Sequence, residues 1–140
     1  MLYNQDFNLW LEQTYQAIKQ KDFEAVDWDN LLEEIDDMGK SQKRSLESYL
    51  ELLIAHTLKL QYWESEKERN CKHWQVEISN FRKRINRLIK KNPSLKGYAA
   101  EVYPELFADT VDTWRIEFHI PDDCFVPLEE ILEKPKPSNH

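Results

Sequence analysis

An all-α fold, a single-domain helical bundle with one long helix and a less regular C-terminal end, is what this sequence predicts. Three observations predict it. Glycine is nearly absent, with Gly39 and Gly97 the whole complement. No Asn-Gly or Asp-Gly pair occurs, so the turn chemistry of two-residue β-hairpins is missing. Apolar residues recur instead at spacings of three and four, the period of an α-helix. The chain has 140 residues, enough for one compact domain whose core needs no disulfide or metal staple.

In a first helix Phe7, Trp10, Leu11, Thr14 and Ile18 share a face, with Asn4 or Asp6 available as N-cap. A second opens at Asp27, a good N-cap, with Trp28, Leu31, Leu32, Ile35 and Met38 as its stripe. Glycine after Met38 is the usual sign of a helix end, and Ser41 is able to cap a new helix. Two features favour continuity instead. The apolar phase runs on through Gly39, Gln42, Leu46, Tyr49, Leu53, His56 and Leu60 without a slip. Lys40, Lys43 and Arg44 would also place positive charge at a helix N-terminus, where the macrodipole disfavours it. One long helix, able to bend, is therefore expected from about Trp28 to Trp63, with Gly39 allowing a close helix contact.

The polar stretch from Tyr62 to Asn70 reads as a loop. A helix from about Lys72 to Lys91 follows, with Trp74, Ile78, Phe81, Ile85, Leu88 and Ile89 facing inward. Asn92-Pro93-Ser94 stops it and starts the next, because Pro suits a first helical turn. Leu95, Tyr98, Ala99, Val102, Leu106, Ala108 and Val111 carry that helix towards Phe118, with Pro104 expected to kink or divide it. Pro121 begins a loop, and 127–132 form one short helix. The domain is expected to cover 1–133, with a frayed tail at 134–140. There is no internal repeat.

Composition narrows the class further. Aromatic residues make up 12% of the chain, five of them Trp, which argues against a disordered chain. Two Cys in 140 residues make no disulfide framework and read as thiols in a reducing compartment. No apolar run approaches the ~20 residues that span a bilayer. The opening Met-Leu-Tyr-Asn-Gln-Asp lacks the basic and apolar regions of a signal peptide. A cytoplasmic protein with no membrane partner is expected.

Charge is segregated along the chain. The net charge of −7 arises from −8 over residues 1–39, balance over 40–66, +8 over 67–97 and −7 over 98–140. On a wheel of 100° per residue, Lys83, Arg84, Arg87, Lys90 and Lys91 lie roughly opposite the Trp74–Phe81–Leu88 stripe, with Arg82 at the edge. Such a basic face suits phosphates or an acidic protein surface. It equally suits a solvated face, or one neutralised by the acidic helix Asp27–Asp37. The sequence pI near 5.1 favours the latter pair, since nucleic-acid-binding domains more often lie above about 9.

Other constellations are incomplete. Glu33-Glu34-Ile35-Asp36-Asp37 is similar to the Glu-Glu-x-x-Glu half-motif of all-α nucleotide pyrophosphohydrolases. A magnesium site needs oxygen ligands from a second helix as well, and the matching Glu-x-x-Asp is missing. His56 sits within Leu52-Leu53-Ile54-Ala55-His56-Thr57-Leu58, either as a base or ligand facing a carboxylate or as a hydrogen-bonded core histidine. Cys71, His73, His119 and Cys124 make a Cys₂His₂ set whose first pair has one intervening residue, where zinc pairs normally have two to four. Arg69 and His73 resemble the Arg…His pair of the HEPN ribonucleases but stand too close together. No Gly-rich phosphate loop, Ser-centred elbow or Cys-x-x-Cys occurs.

Several blocks together resemble a bacterial family, frequent in cyanobacteria, catalogued as domain of unknown function 29. Asp6-Phe7-Asn8-Leu9-Trp10 is similar to its N-terminal Asp-Phe-x-x-Trp pattern. The run from Asp27-Trp28-Asp29 through Asp36-Asp37-Met38-Gly39-Lys40-Ser41 is its most distinctive signature. Leu52 to Gln61, His73-Trp74 and Asn92-Pro93-Ser94-Leu95-Lys96 follow in the family's order. The resemblance spans roughly 3–133. It implies an all-α, cytosolic, bacterial protein and carries no activity and no catalytic residue with it.

The expected function is a non-enzymatic protein-interaction module, as an oligomer or as the acidic partner of another protein, because no complete catalytic motif is present. The alternative is nucleic-acid binding through Arg82, Lys83, Arg84, Arg87, Lys90 and Lys91. A third reading is a metal-assisted hydrolase built on Glu34, Asp37 and His56. No catalytic residue, cofactor or resident metal is assigned.

Overall fold

The computed structural model describes residues 2–133, so the tail expected to fray at 134–140 lies outside the described residues. The elements are α1 (Leu2–Gln5), α2 (Phe7–Lys19), a 3₁₀ turn (Phe23–Ala25), α3 (Trp28–Tyr62), α4 (Glu64–Lys91), α5 (Leu95–Trp114) and α6 (Leu128–Leu132). No strand occurs among the described residues. The all-α prediction holds, including the unbroken α3. The described residues fall into two compact units, one up to Ser41 and one from Gln42 onward.

In the first unit, Asp6 rather than Asn4 caps α2, its extended backbone letting Oδ1 accept from the Leu9 amide at 3.1 Å. Tyr3 meets Trp10 edge-on at 4.8 Å between ring centroids, and Phe7 stacks beside Trp10. Helix α2 ends with the Asp22 amide donating to the Ala17 carbonyl and the Lys21 amide to Ile18, a Schellman motif. Lys21 takes the left-handed conformation there, at φ 61°, where glycine is usual. Asp27 then caps α3, accepting from the Asn30 amide at 3.3 Å and the Asn30 side chain at 2.6 Å.

Two expectations for this unit are corrected. Of the predicted α2 face only Trp10 and Thr14 are buried, while Phe7, Leu11 and Ile18 are exposed. Helical period alone cannot distinguish a covered stripe from an uncovered one. Gly39 makes no close helix contact either, because a Cβ there would meet nothing within 4 Å.

The second unit carries the larger core. Leu46, Leu50, Leu53, Ile54 and Leu58 of α3 pack with Ile78, Phe81 and Ile85 of α4 and with Leu95, Ala99, Tyr103, Phe107 and Val111 of α5. Phe118, Ile120 and Ile131 close the cluster from the C-terminal segment. Each such aliphatic side chain stabilises the fold by about 1.5–3 kcal/mol through burial. Helix α6 is fixed to α4 by two donors to backbone carbonyls, Arg82 Nε to Ile131 at 3.2 Å and Asn86 Nδ2 to Leu132 at 3.3 Å. Tyr103 reaches the same segment, its hydroxyl donating to the Val126 carbonyl at 2.5 Å. Burial of Tyr103 pushes its phenol pKa up.

The loop expected over Tyr62–Asn70 is largely helix: only Trp63 separates α3 from α4. Glu64 and Glu66 lie in the first turn of α4, where they complement the macrodipole. The Trp63 ring stacks on Trp74 at 6.1 Å and on Phe118 at 5.0 Å, which pins the corner. Nearby, Lys59 Nζ lies 4.0 Å from the Trp114 ring centroid. Pro104 does not divide α5. It is exposed, as is Ala100, so the carbonyl that loses its intrahelical donor lies at the solvent side of the helix. The helix stops at Trp114, short of the Phe118 expected.

Two stability changes follow. Ile85→Ala is expected to cost about 2–5 kcal/mol in denaturant unfolding by opening a core cavity, whereas Ile116→Ala, at an 84% exposed position, stays within about 0.5 kcal/mol. Lys21→Gly is expected to stabilise the chain by about 1 kcal/mol by relieving the left-handed backbone cost. A destabilised Lys21→Gly variant in the same unfolding measurement would contradict that.

Candidate interaction surfaces

Helix α4 carries the basic face where the sequence places it. Lys83, Arg84, Arg87, Lys90 and Lys91 are exposed and Arg82 is half-buried. Arg82 is held by its bond to Ile131, and burial lowers its pKa. Among the described residues, none of the six forms an ion pair with a carboxylate of its own unit. Arg84 instead lies over the Tyr49 ring at 5.6 Å. Tyr49, Arg84, Arg87, Leu88 and Lys91 line a shallow groove of about 270 Å³, an apolar floor with a cationic rim. Sequence reasoning missed Tyr49 as part of this surface, because its helical phase marks it only as core.

The acidic start of α3 is a different kind of surface. Glu34 accepts a hydrogen bond from the Tyr3 hydroxyl. That bond, with desolvation and the negative charges of Glu34, Glu33 and Asp37, pushes the Tyr3 pKa up to about 12. Asp36 pairs with Lys40 at 2.8 Å across an exposed i,i+4 spacing. Between these carboxylates, Leu32 is 63%, Ile35 54% and Met38 61% exposed, and Trp28 precedes them on the same side. At 100° per residue, Glu34 borders this stripe on one side and Asp29 and Asp36 on the other, while Glu33 and Asp37 lie opposite.

The remaining polar candidates fall in different units. Glu34 and Asp37 belong to the first unit and His56 to the second. His56 Nδ1 is 2.8 Å from the Leu52 carbonyl, and since a carbonyl only accepts, Nδ1 carries the proton. Burial lowers the His56 pKa, partly offset by that bond, with Lys59, Glu77 and His73 as its charged neighbours. Cys71 and Cys124 are free thiols, and the neighbouring Cys124 side chain, with burial, raises the Tyr62 pKa. His73 and His119 are exposed. Among the described residues, no group of three or more His, Cys, Asp or Glu side chains is arranged to hold a metal ion. Nor is any described helix long and apolar enough to cross a membrane.

The family model for "Domain of unknown function DUF29" matches residues 2–135. The chain belongs to this family. The match takes in the acidic stripe, the basic face and the whole described helical order. No curated protein and no solved structure matches the chain. Membership in DUF29 therefore brings a fold-length match and no activity.

Titration tests the local electrostatics of this DUF29 chain. Folding raises the Tyr3 pKa above its unfolded value of about 10, so the native state retains that proton longer. The stability this contributes is full below about pH 10 and is lost as pH rises towards about 12. In an NMR titration of ring-labelled tyrosine, Glu34→Ala is expected to return Tyr3 towards 10. For His56 the sign is opposite. Its lowered pKa means stability is full above about pH 6.5 and declines as pH falls below it, and His56→Gln should flatten that part of the stability–pH curve.

Proposed function

We propose that this protein is a non-enzymatic helical interaction module of the bacterial cytoplasm, with the N-terminal part of α3 as its contact surface. The observation that carries this reading is the stripe of Leu32, Ile35 and Met38, all more than half exposed on one face of a helix. An apolar patch of this kind, rimmed by charged residues, is typical of protein–protein contact surfaces. Two half-buried free thiols suit a reducing compartment.

A photo-cross-linking amino acid at Leu32 or Ile35, in cells expressing the protein, tests the reading. Covalent adducts are expected from these positions and not from Glu33 on the opposite face. No adduct from either stripe position would overturn it.

The basic face supports a second reading, nucleic-acid binding, through the observation that its cations lack carboxylate partners within their unit among the described residues. Binding of labelled single- or double-stranded nucleic acid would then fall steeply between about 50 and 200 mM salt as counterions are released. Replacing Arg84, Arg87 and Lys91 by Glu would abolish it. Absence of binding at the lower salt removes this reading and leaves the first intact.

A further inference from the structure

We propose that the occupant of the exposed α3 stripe is the basic face of α4 in a second copy of this chain, so that two chains exchange their N-terminal units reciprocally. This rests on reading the stripe as an interface, and adds the identity of the partner.

The first support is the continuity of one apolar period. The spacing that buries Leu46, Leu50 and Leu53 in the second unit runs back through Gln42, Gly39, Ile35 and Leu32 to Trp28. The same helical stripe is covered at one end and uncovered at the other. Gly39 lies in its middle with open space above it, which lets a second helix approach closely.

Charge selects what approaches. Pairing two N-terminal stripes would set −8 against −8, whereas the segment 67–97 that contains most of α4 is +8. Like charges across an interface are rejected and opposite ones steer association. The surfaces also match in kind. The stripe is apolar with acidic borders at Asp29, Glu34 and Asp36. The α4 face offers an apolar floor at Tyr49 and Leu88, rimmed by Arg84, Arg87 and Lys91. Its outer side also carries Val76, 56% exposed. Each chain holds one surface of each kind, so a second copy offers each surface the complement that it lacks.

Light scattering and sedimentation on four samples test this. The wild type is expected at twice the 16.9 kDa of one chain. Asp29→Lys with Asp36→Lys, and separately Arg84→Glu with Arg87→Glu, are each expected to give single chains of native helicity by circular dichroism. All four positions are exposed, so their replacement leaves the core intact. Mixed one to one, the two variants should recover the double mass as a heterodimer, because the reversed charges of each oppose those of the other. Leu32→Ser with Ile35→Ser should also be monomeric and should not be rescued by the Asp29→Lys, Asp36→Lys variant, with which it shares no intact pairing. A monomeric wild type, charge variants that stay dimeric, an open series of larger assemblies, or a mixture without heterodimer would each overturn the proposal. If the wild type is monomeric but stripe cross-links join it to a different protein, the interface reading stands and the second-copy assignment fails. If no cross-link forms at all, both fail.

Discussion

The apolar stripe of α3 sets the terms for the rest of the molecule. At 35 residues the helix extends about 52 Å, while α5, whose residues share its core, has 20 residues and extends about 30 Å. Among the described residues, Leu32, Ile35 and Met38 are exposed, while the stripe is buried from Leu46 to Leu58. There α4, α5 and the C-terminal segment bury leucine and isoleucine side chains completely. Towards the N-terminus the same period meets water. The buried apolar contacts of this helix are therefore concentrated in its C-terminal half, and its exposed apolar residues in its N-terminal half.

Polar groups in the second unit are arranged to hold the C-terminal segment on this core. Arg82, Asn86 and Tyr103 all donate to carbonyls of the chain beyond α5. That segment has little regular structure of its own, so its backbone acceptors need such partners where they approach the core. Arg82 is accordingly structural, although its place in a run of cations suggests the solvent-facing surface. Its neighbours Lys83, Arg84 and Arg87 have no such duty and leave their charge at the surface. One basic segment thus divides between an anchoring residue and a solvent-facing cationic face.

Membership in DUF29 agrees with the resemblance visible in the sequence, and neither brings a reaction with it. The candidate chemistry instead separates into groups already engaged locally. Glu34 is held by Tyr3 and His56 by the Leu52 carbonyl. Among the described residues, the apolar stripe at Leu32, Ile35 and Met38 and the cationic rim of Arg84, Arg87 and Lys91 stay exposed to solvent.

Much of the fold was legible in local chemistry. The all-α class, the caps at Asp6 and Asp27, the unbroken passage through Gly39 and the stop at Asn92 depend on backbone propensity, capping and periodicity, which act over a few residues. The basic face of α4 was legible for the same reason. The start of α4 at Glu64 was not, because a polar helical turn carries no period, and the stacking of Trp63 on residues far along the chain fixes that corner. Pro104 leaves α5 undivided because its cost depends on whether the freed carbonyl reaches water, which the sequence does not show. Sequence by itself determined which residues share a face of each helix, since that follows from 100° of rotation per residue. Only the tertiary structure decided which faces are covered, because cover depends on where a second helix lies, and periodicity carries no information about that.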